Sequence, residues 1–353
     1  MNIKSLLLGS AAAFSVVSGA HAADAIVAAE PEPLEYVRIC DAYGAGYFYI
    51  PGTETCIKIG GKVRSDVSWY NAYKAGQDAA ARGTYWKTRA ELSIDTASDT
   101  EYGALKTDAV FRFESAEGNN TNKLLWANIS LGGFLVGKND SVYSTFLGYA
   151  GDVINDDIIE YGINGTDELN QLTYAYDSGT GFTAVASLED STNGTAAGAN
   201  GENSSDHYAP DGVLGLGYKA GAFNFRVVGG YDSIVEEGAV KARVDAKFGG
   251  FTAFLMGGYN TDGNKLNKYA GAGGAGIGWG DWAVWGGIGQ QINDKLKANV
   301  QLAYDDKKTF AATGNLKFNP VKNLLIEPEV TYVNYDSVNK DTWSGIIRFQ
   351  RSF

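Results

Sequence analysis

Nearly every segment of the chain alternates apolar and polar residues with a period of two, and that regularity excludes most folds. In "CIKIGGKVRSDVSWY", Ile57, Ile59, Gly61, Val63, Val67 and Trp69 form one row and Lys58, Lys62, Arg64 and Asp66 the other. "YWKTRAELSIDT" sets Trp86, Ala90, Leu92 and Ile94 against Lys87, Arg89, Glu91 and Asp95. "LKTDAVFRFE" sets Leu105, Phe111 and Phe113 against Lys106, Asp108, Arg112 and Glu114. The pattern recurs in "FNFRVVGGY", "AVKARVDAKF", "FTAFLMGGY", "LKANVQLAY", "TFAATGNLKF" and "LLIEPEVTY". No amphipathic helix of convincing length interrupts it, so the chain is expected to be all-β.

Alternation serves a soluble sandwich and a membrane barrel equally, since each has one apolar row per strand. Three further features favour the barrel. Apolar rows begin or end on aromatics, among them Trp69, Phe113, Phe182, Tyr218, Tyr231, Phe251, Tyr259, Tyr304 and Tyr332, as an interfacial girdle requires. Very short connections ("GG" at 132–133, "AGA" at 220–222, "GG" at 249–250) alternate with long polar ones. Opposite rows carry full charges, which suits a water-filled interior. With residues of about 260 to 280 assigned to one glycine-rich surface loop, the antiparallel strands number about sixteen, each of ~9 to 11 residues.

The chain begins with a basic "MNIK", an apolar "SLLLGSAAAFSVVSG" and a small-x-small "AHA", a secretory signal peptide over residues 1–22. Its apolar core falls short of the ~18 residues of a spanning helix, so residues 23–353 are expected to be exported as one barrel domain, with strands over 57–353. Loss of Lys4 takes the formal charge from −12 to −13, which argues against a nucleic-acid partner. The chain ends on an apolar residue, Phe353, as a closing strand would whose end sits at an apolar rim where barrel-assembly machinery could read it.

Cys40 and Cys56 are the two cysteines of this exported chain, and an isolated pair suits a disulfide better than a metal site, which wants about four ligands. Closing a loop of about fifteen residues would contribute roughly 3 kcal/mol in the chain-entropy model. No cofactor or metal is expected. "GAGGAG" at Gly271–Gly276 matches a dinucleotide-binding pattern, but "IGWGDWAVW" after it is not helical. His207 sits in the polar loop "NGENSSDHYAPDG", a poor place for a general base, so the chain is not expected to be an enzyme.

Residues 139–170 are unlike the rest. "NDSVYSTFLGYAGDVINDDIIEYGINGTDELN" holds no Lys or Arg but carries Asp140, Asp152, Asp156, Asp157, Glu160, Asp167 and Glu168. A solvated acidic loop and a calcium site at "DVINDD" are alternatives. The segment also contains Val142, Tyr143, Phe146, Leu147, Ile154, Ile158, Ile159 and Tyr161, which points to packing against a surface. Folded into the barrel, it would rest its apolar residues on the inner wall and face the bases Lys58, Lys62, Arg64, Lys87, Arg89, Lys106 and Arg112. Carboxylates opposite a basic wall give a transverse field across a narrow pore, with a weak preference for cations.

"VRICDAYGAGYFYIPGTETCIKIGGKVR", "TRAELSIDT", "WAVWGGIG" and the terminal "WSGIIRFQRSF" resemble the alphaproteobacterial outer-membrane porins of the Brucella and Rhizobium type, along essentially the whole chain. The resemblance implies a sixteen-stranded barrel, a homotrimer in outer-membrane lipid and lipopolysaccharide, a third loop folded inward as constriction, and passive diffusion of ions and small hydrophilic solutes. Two other classes remain open. A substrate-specific channel would add a binding track, for which Tyr176 and Trp126 are too scattered; a surface adhesin or structural barrel would not need the acidic loop. A plugged transporter would need about 22 strands, which this length cannot supply.

Overall fold

A computed structural model describes residues 38–71, 83–164, 167–191, 208–270 and 278–353. The expected signal peptide, His207 and Gly271–Gly276 lie outside the described residues. A two-residue strand, β1 (Phe48–Tyr49), precedes β2 (Cys56–Asn71), β3 (Gly83–Thr100), β4 (Gly103–Ala116), β5 (Asn119–Leu131) and β6 (Phe134–Asp140). Then come β7 (Glu168–Asp177), β8 (Phe182–Glu189), β9 (Asp211–Ala220), β10 (Phe223–Asp232), β11 (Glu237–Phe248) and β12 (Phe251–Asn260). β13 (Trp282–Asn293), β14 (Leu296–Asp305), β15 (Thr309–Phe318), β16 (Leu324–Tyr335) and β17 (Lys340–Ser352) complete the order. Each of β2 to β17 pairs antiparallel with its sequence neighbours, and β17 returns to β2, closing a sixteen-stranded barrel with β1 as one extra strand.

Closure answers the demand that no backbone edge be left unpaired in lipid. At the seam Trp343 registers with Asn71 and Ser352 with Lys62. The main chains of Phe353 and Gly61 exchange both hydrogen bonds, at 3.0 and 3.1 Å, so the last residue is tied down. This pairing starts a few residues along β2 from Cys56 and leaves the first residues of β2 for β1, where Phe48 registers with Ile57 and Tyr49 with Cys56.

The apolar row faces outward, with Ile59, Val63, Trp69, Leu255, Tyr259, Ile288, Ile347 and Phe349 exposed. The polar row lines the interior. Two-residue turns at 101–102, 132–133, 221–222 and 249–250 share one end of the barrel, its short-turn end; in one of them Gly132 (φ 60°) and Gly133 (φ 91°) both adopt the left-handed region that such a hairpin demands. The Cys40–Cys56 disulfide is formed, with a Cα–Cα distance of 6.1 Å.

The glycine-rich connection between β12 and β13 corrects the surface-loop expectation. In its described parts Asn267, Lys268, Tyr269, Ala270 and Trp279 are fully buried. The physical reason is that glycine and alanine let the backbone come close while two aromatics fill the interior: a Cβ on Gly230 would lie 2.5 Å from the Tyr269 ring, and one on Gly258 2.6 Å from the Trp279 ring.

The seam generates a stability prediction. A Cβ on Gly61 would meet the Glu91 carbonyl at 2.2 Å and the Phe353 ring at 2.9 Å, whereas one on Gly257 meets nothing within 4 Å. Gly61→Val should therefore cost about 1–3 kcal/mol through overpacking. It should lower the temperature at which the compact band is lost on a heat-modifiability gel, while Gly257→Val leaves it unchanged. Equal behaviour of the two variants would contradict the close packing of Gly61 between β3 and the Phe353 ring.

Candidate functional site: the acidic segment and the charged interior rows

The acidic segment begins because β6 is short. It runs only from Phe134 to Asp140, so the chain leaves the wall part-way up. A turn of helix, α1 (Val142–Thr145), follows at once, with the Ser141 hydroxyl accepting from the Tyr143 N–H. The Glu189 carboxylate accepts from the Ser141 hydroxyl and the Val142 N–H, placing an anion where the turn exposes amide donors.

From there the segment is held by side chains of strands on the far side of the sheet order from its root. Arg226 donates to the Phe146 carbonyl, and Arg243 to those of Gly148 and Tyr149. Gln301 donates to Asp156 O at 3.0 Å, Trp285 Nε1 to Ile159 O at 2.8 Å, and Trp279 Nε1 to Glu160 O at 2.7 Å. The Ile154 and Asn155 amides donate to Glu329. Lys241, fully buried, donates to the carbonyls of both Tyr143 and Tyr161, and its ammonium lies 3.9 Å from the Tyr143 ring centroid. Apolar residues of the segment (Tyr143, Leu147, Ala150, Ile159, Ile163) pack into one cluster with Val213, Val228, Met256, Trp285, Ala303, Ala311 and Val333.

The seven carboxylates separate into groups. Asp140 accepts from Trp126 Nε1 at 2.9 Å, Glu168 pairs with Lys123 at 2.6 Å, and Asp167 accepts from Ser144 at 2.8 Å. Asp152 bridges Lys297 at 2.7 Å and Lys317 at 2.5 Å. Burial alone would raise the Asp152 pKa, but the hydrogen bonds from Lys297 and Lys317 hold it below the ordinary carboxylate range. Asp156, which accepts from Tyr161, is pushed up to about 8, first by burial and then by Asp157. Glu160, which accepts from the Gly162 N–H, is pushed up to about 8 by burial, Asp157 and Asp167. Asp157 itself is exposed.

The seven bases share one row of β2 to β4. Lys62 registers with Glu91 and that with Arg112; Arg64 with Arg89 and that with Glu114; Lys58 with Asp95 and that with Asp108. The wall is a zipper rather than a bare basic surface. Glu91 pairs with Lys62 and Arg112 at 2.6 Å each, Glu114 with Arg89 and more distantly with Lys87, and Asp66 with Arg64 and with Arg348 of β17. Lys106 lines a separate space beside Asp95 and Asp108, and Lys58 lies over the Tyr47 ring. Of the residues expected to face one another, Lys62, Arg112, Asp140, Asp167 and Glu168 do line a common space of about 480 Å³, together with Glu91, Trp126, Tyr149 and Tyr161.

Sequence reasoning missed the anchors: Arg226, Lys241, Arg243, Lys297, Lys317, Glu329 and the two tryptophans Trp279 and Trp285. One signal was present. Trp282 and Trp285 are three apart, so a strand through both must turn one indole inward. Trp126 is aimed by a bulge: Val110 registers with Trp126 but Phe111 with Leu124, and the extra residue Leu125 lets both Lys123 and Trp126 face the interior.

Lys241 carries a direct test. Lys241→Met leaves the Tyr143 and Tyr161 carbonyls without their donor, at about 1–3 kcal/mol for each unsatisfied group. Amide exchange across 142–163 should then accelerate on the order of tenfold or more, with exchange in β2 to β5 unchanged. Unaltered protection of the segment would contradict its anchoring through Lys241.

Comparison with known proteins agrees with this architecture. The family model described as "Porin subfamily" matches residues 24–349. The chain is 44% identical over 375 residues to the porin Omp2b of Brucella canis and of Brucella abortus (strain 2308), covering all of both chains, and 43% identical to that of Brucella melitensis. Among solved structures it is similar in fold to the outer membrane channel DcaP of Acinetobacter baumannii (TM-score 0.61, 16% identity, 86% of this chain and 99% of that one). It is similar also to an anion-selective porin from Comamonas acidovorans (TM-score 0.59, 13% identity, 85% and 100%). The chain therefore belongs to the porin family, and is an outer-membrane β-barrel channel protein.

Proposed function

We propose that residues 139–170 fold into the lumen as the constriction of a general diffusion pore for ions and small hydrophilic solutes, with weak cation preference. The observation that carries this reading is the reach of the segment. It leaves the wall at β6 yet contacts interior side chains of β10, β11, β13, β14, β15 and β16, with a space of about 480 Å³ between its carboxylates and the Lys62–Arg112 wall. Charges of both signs meeting across a narrow water path impose a transverse field and order the water within it. Selectivity stays weak because the bases are matched by Glu91, Glu114 and Asp66, and Asp152 by Lys297 and Lys317. This is the chemistry of a sieve, not of a catalyst.

Further parts of the reading follow the family. Residues 1–22 act as the export signal and 23–353 as the mature barrel domain. The exposed apolar belt accommodates outer-membrane lipid, lipopolysaccharide and two further copies in a homotrimer. Phe353 is read by the barrel-assembly machinery.

The sign of the pH dependence is fixed by Asp156 and Glu160. With pKa values of about 8 both are protonated at pH 6 and ionised at pH 9, so alkaline conditions add negative charge to the constriction. Reversal potentials in a salt gradient should move toward greater cation preference between pH 6 and 9, and Asp156→Asn with Glu160→Gln should reduce that movement. Asp152→Asn should shift the potential toward anions already at pH 7, because it removes the carboxylate paired with Lys297 and leaves Lys317 only its 3.9 Å contact with Glu327, with a larger shift at low salt. Potentials insensitive both to pH and to Asp152→Asn would rule out the constriction reading.

A further inference from the structure

Interior architecture also exists at the short-turn end, away from the acidic segment. Because β17 pairs with β2 only from Lys62 onward, the edge at Cys56 and Ile57 is open, and β1 covers it. Register fixes which way the covering residues face. Tyr49 lies opposite Cys56, so Tyr47, two residues earlier, shares the face of Cys56 and Lys58, which is the interior row. Cys40 and Cys56 are each 1% exposed, and so is Ala97, the β3 partner of Cys56. The disulfide is thus packed on the interior side of the wall, where the small Ala97 leaves room for it.

Two contacts hold the stapled loop against the wall and one closes it on itself. The Tyr43 hydroxyl donates to Asp99 at 2.6 Å, and the Cys40 N–H donates to the Tyr47 carbonyl at 3.0 Å. The Lys58 ammonium lies 5.7 Å from the Tyr47 ring centroid, while its stem runs close to Gly46, where an added Cβ would touch it at 3.8 Å. Beside the ring opens a space of about 460 Å³ lined by Tyr47, Asp95, Lys106, Asp108 and Asn128.

We propose that the loop closed by Cys40–Cys56 is a second selectivity element at the short-turn mouth of the channel, with Tyr47 as its specificity-determining residue. The ring supplies steric bulk and an apolar face on a path otherwise walled by Lys58, Lys106, Asp95 and Asp108. A solute that has cleared the acidic segment meets this second filter, which limits the size of neutral hydrophilic molecules rather than the sign of ions. The disulfide gives the ring its fixed position: closing a short loop removes the freedom that would let the segment swing out of the mouth. The proposal rests on the porin assignment but not on the location of the acidic segment.

The test uses the full-length protein in planar bilayers and in liposomes swelling in a graded series of neutral oligosaccharides. Tyr47→Ala should raise single-channel conductance and move the size cut-off to larger saccharides, and Tyr47→Phe should behave as wild type. Reducing the disulfide in assembled wild-type protein should act in the same direction as Tyr47→Ala, which keeps the proposal open to refutation even if a variant assembles poorly. Wild-type conductance and cut-off in Tyr47→Ala, or in the reduced protein, would overturn it. If Asp152→Asn still shifts the reversal potential in that case, the constriction reading survives while the second filter does not.

Discussion

The interior of this barrel is governed by a backbone accounting problem. A wall of sixteen strands satisfies its own amides and carbonyls by closing on itself, which lipid requires of any spanning sheet. A segment without regular structure lying against that wall has no such internal solution, and each buried carbonyl left bare costs on the order of 1–3 kcal/mol. Here the donors come from side chains. Arg226, Lys241, Arg243, Trp279, Trp285 and Gln301 serve the carbonyls of 143–161, and the Glu329 carboxylate takes the two amides of Ile154 and Asn155.

The same accounting explains why charge is distributed as it is. Arg226, Lys241 and Arg243 on β10 and β11 are spent on main-chain carbonyls and on Asp245, while Lys62, Arg64, Lys87, Arg89 and Arg112 on β2 to β4 are laced to Glu91, Glu114 and Asp66. Under the proposed constriction, a wall on which Lys62, Arg64, Lys87, Arg89 and Arg112 each have a carboxylate partner at 2.5–4.0 Å orders solutes by a local field without holding them. The Comamonas porin, similar in fold at 13% identity, is named as anion-selective.

Much of the fold was legible because a strand has a period of two and lipid tolerates one apolar face. Ile57 to Trp69 and Lys58 to Asp66 separate on sight, and the interior row they define is the row found. The closing role of the terminal strand was equally readable from "WSGIIRFQRSF". What stayed hidden depends on contacts between segments far apart in sequence. Lys241 looks like any interior base of its strand until Tyr143 and Tyr161 arrive on it. The bulge after Val110 that turns Trp126 toward Asp140 leaves no mark in "KLLWAN", because one added residue in an apolar run changes no composition. The Gly/Ala-rich stretch around Tyr269 and Trp279 offers no lipid-facing bulk, which suggests a surface loop in sequence; its burial is decided by the glycines across from it, Gly230 and Gly258, whose missing side chains make the room.

The central claim is that the acidic segment lies in the water path. Asp157 is exposed, and the two native cysteines are joined to each other, so Asp157→Cys would present a single reactive thiol. A bulky cationic methanethiosulfonate reagent applied to a single open channel of this variant should produce a stepwise fall in conductance and a loss of cation preference that persist on washing and are reversed by reduction under conditions that spare Cys40–Cys56. Full labelling of the thiol with conductance and reversal potential unchanged would place the segment outside the pore and contradict the account.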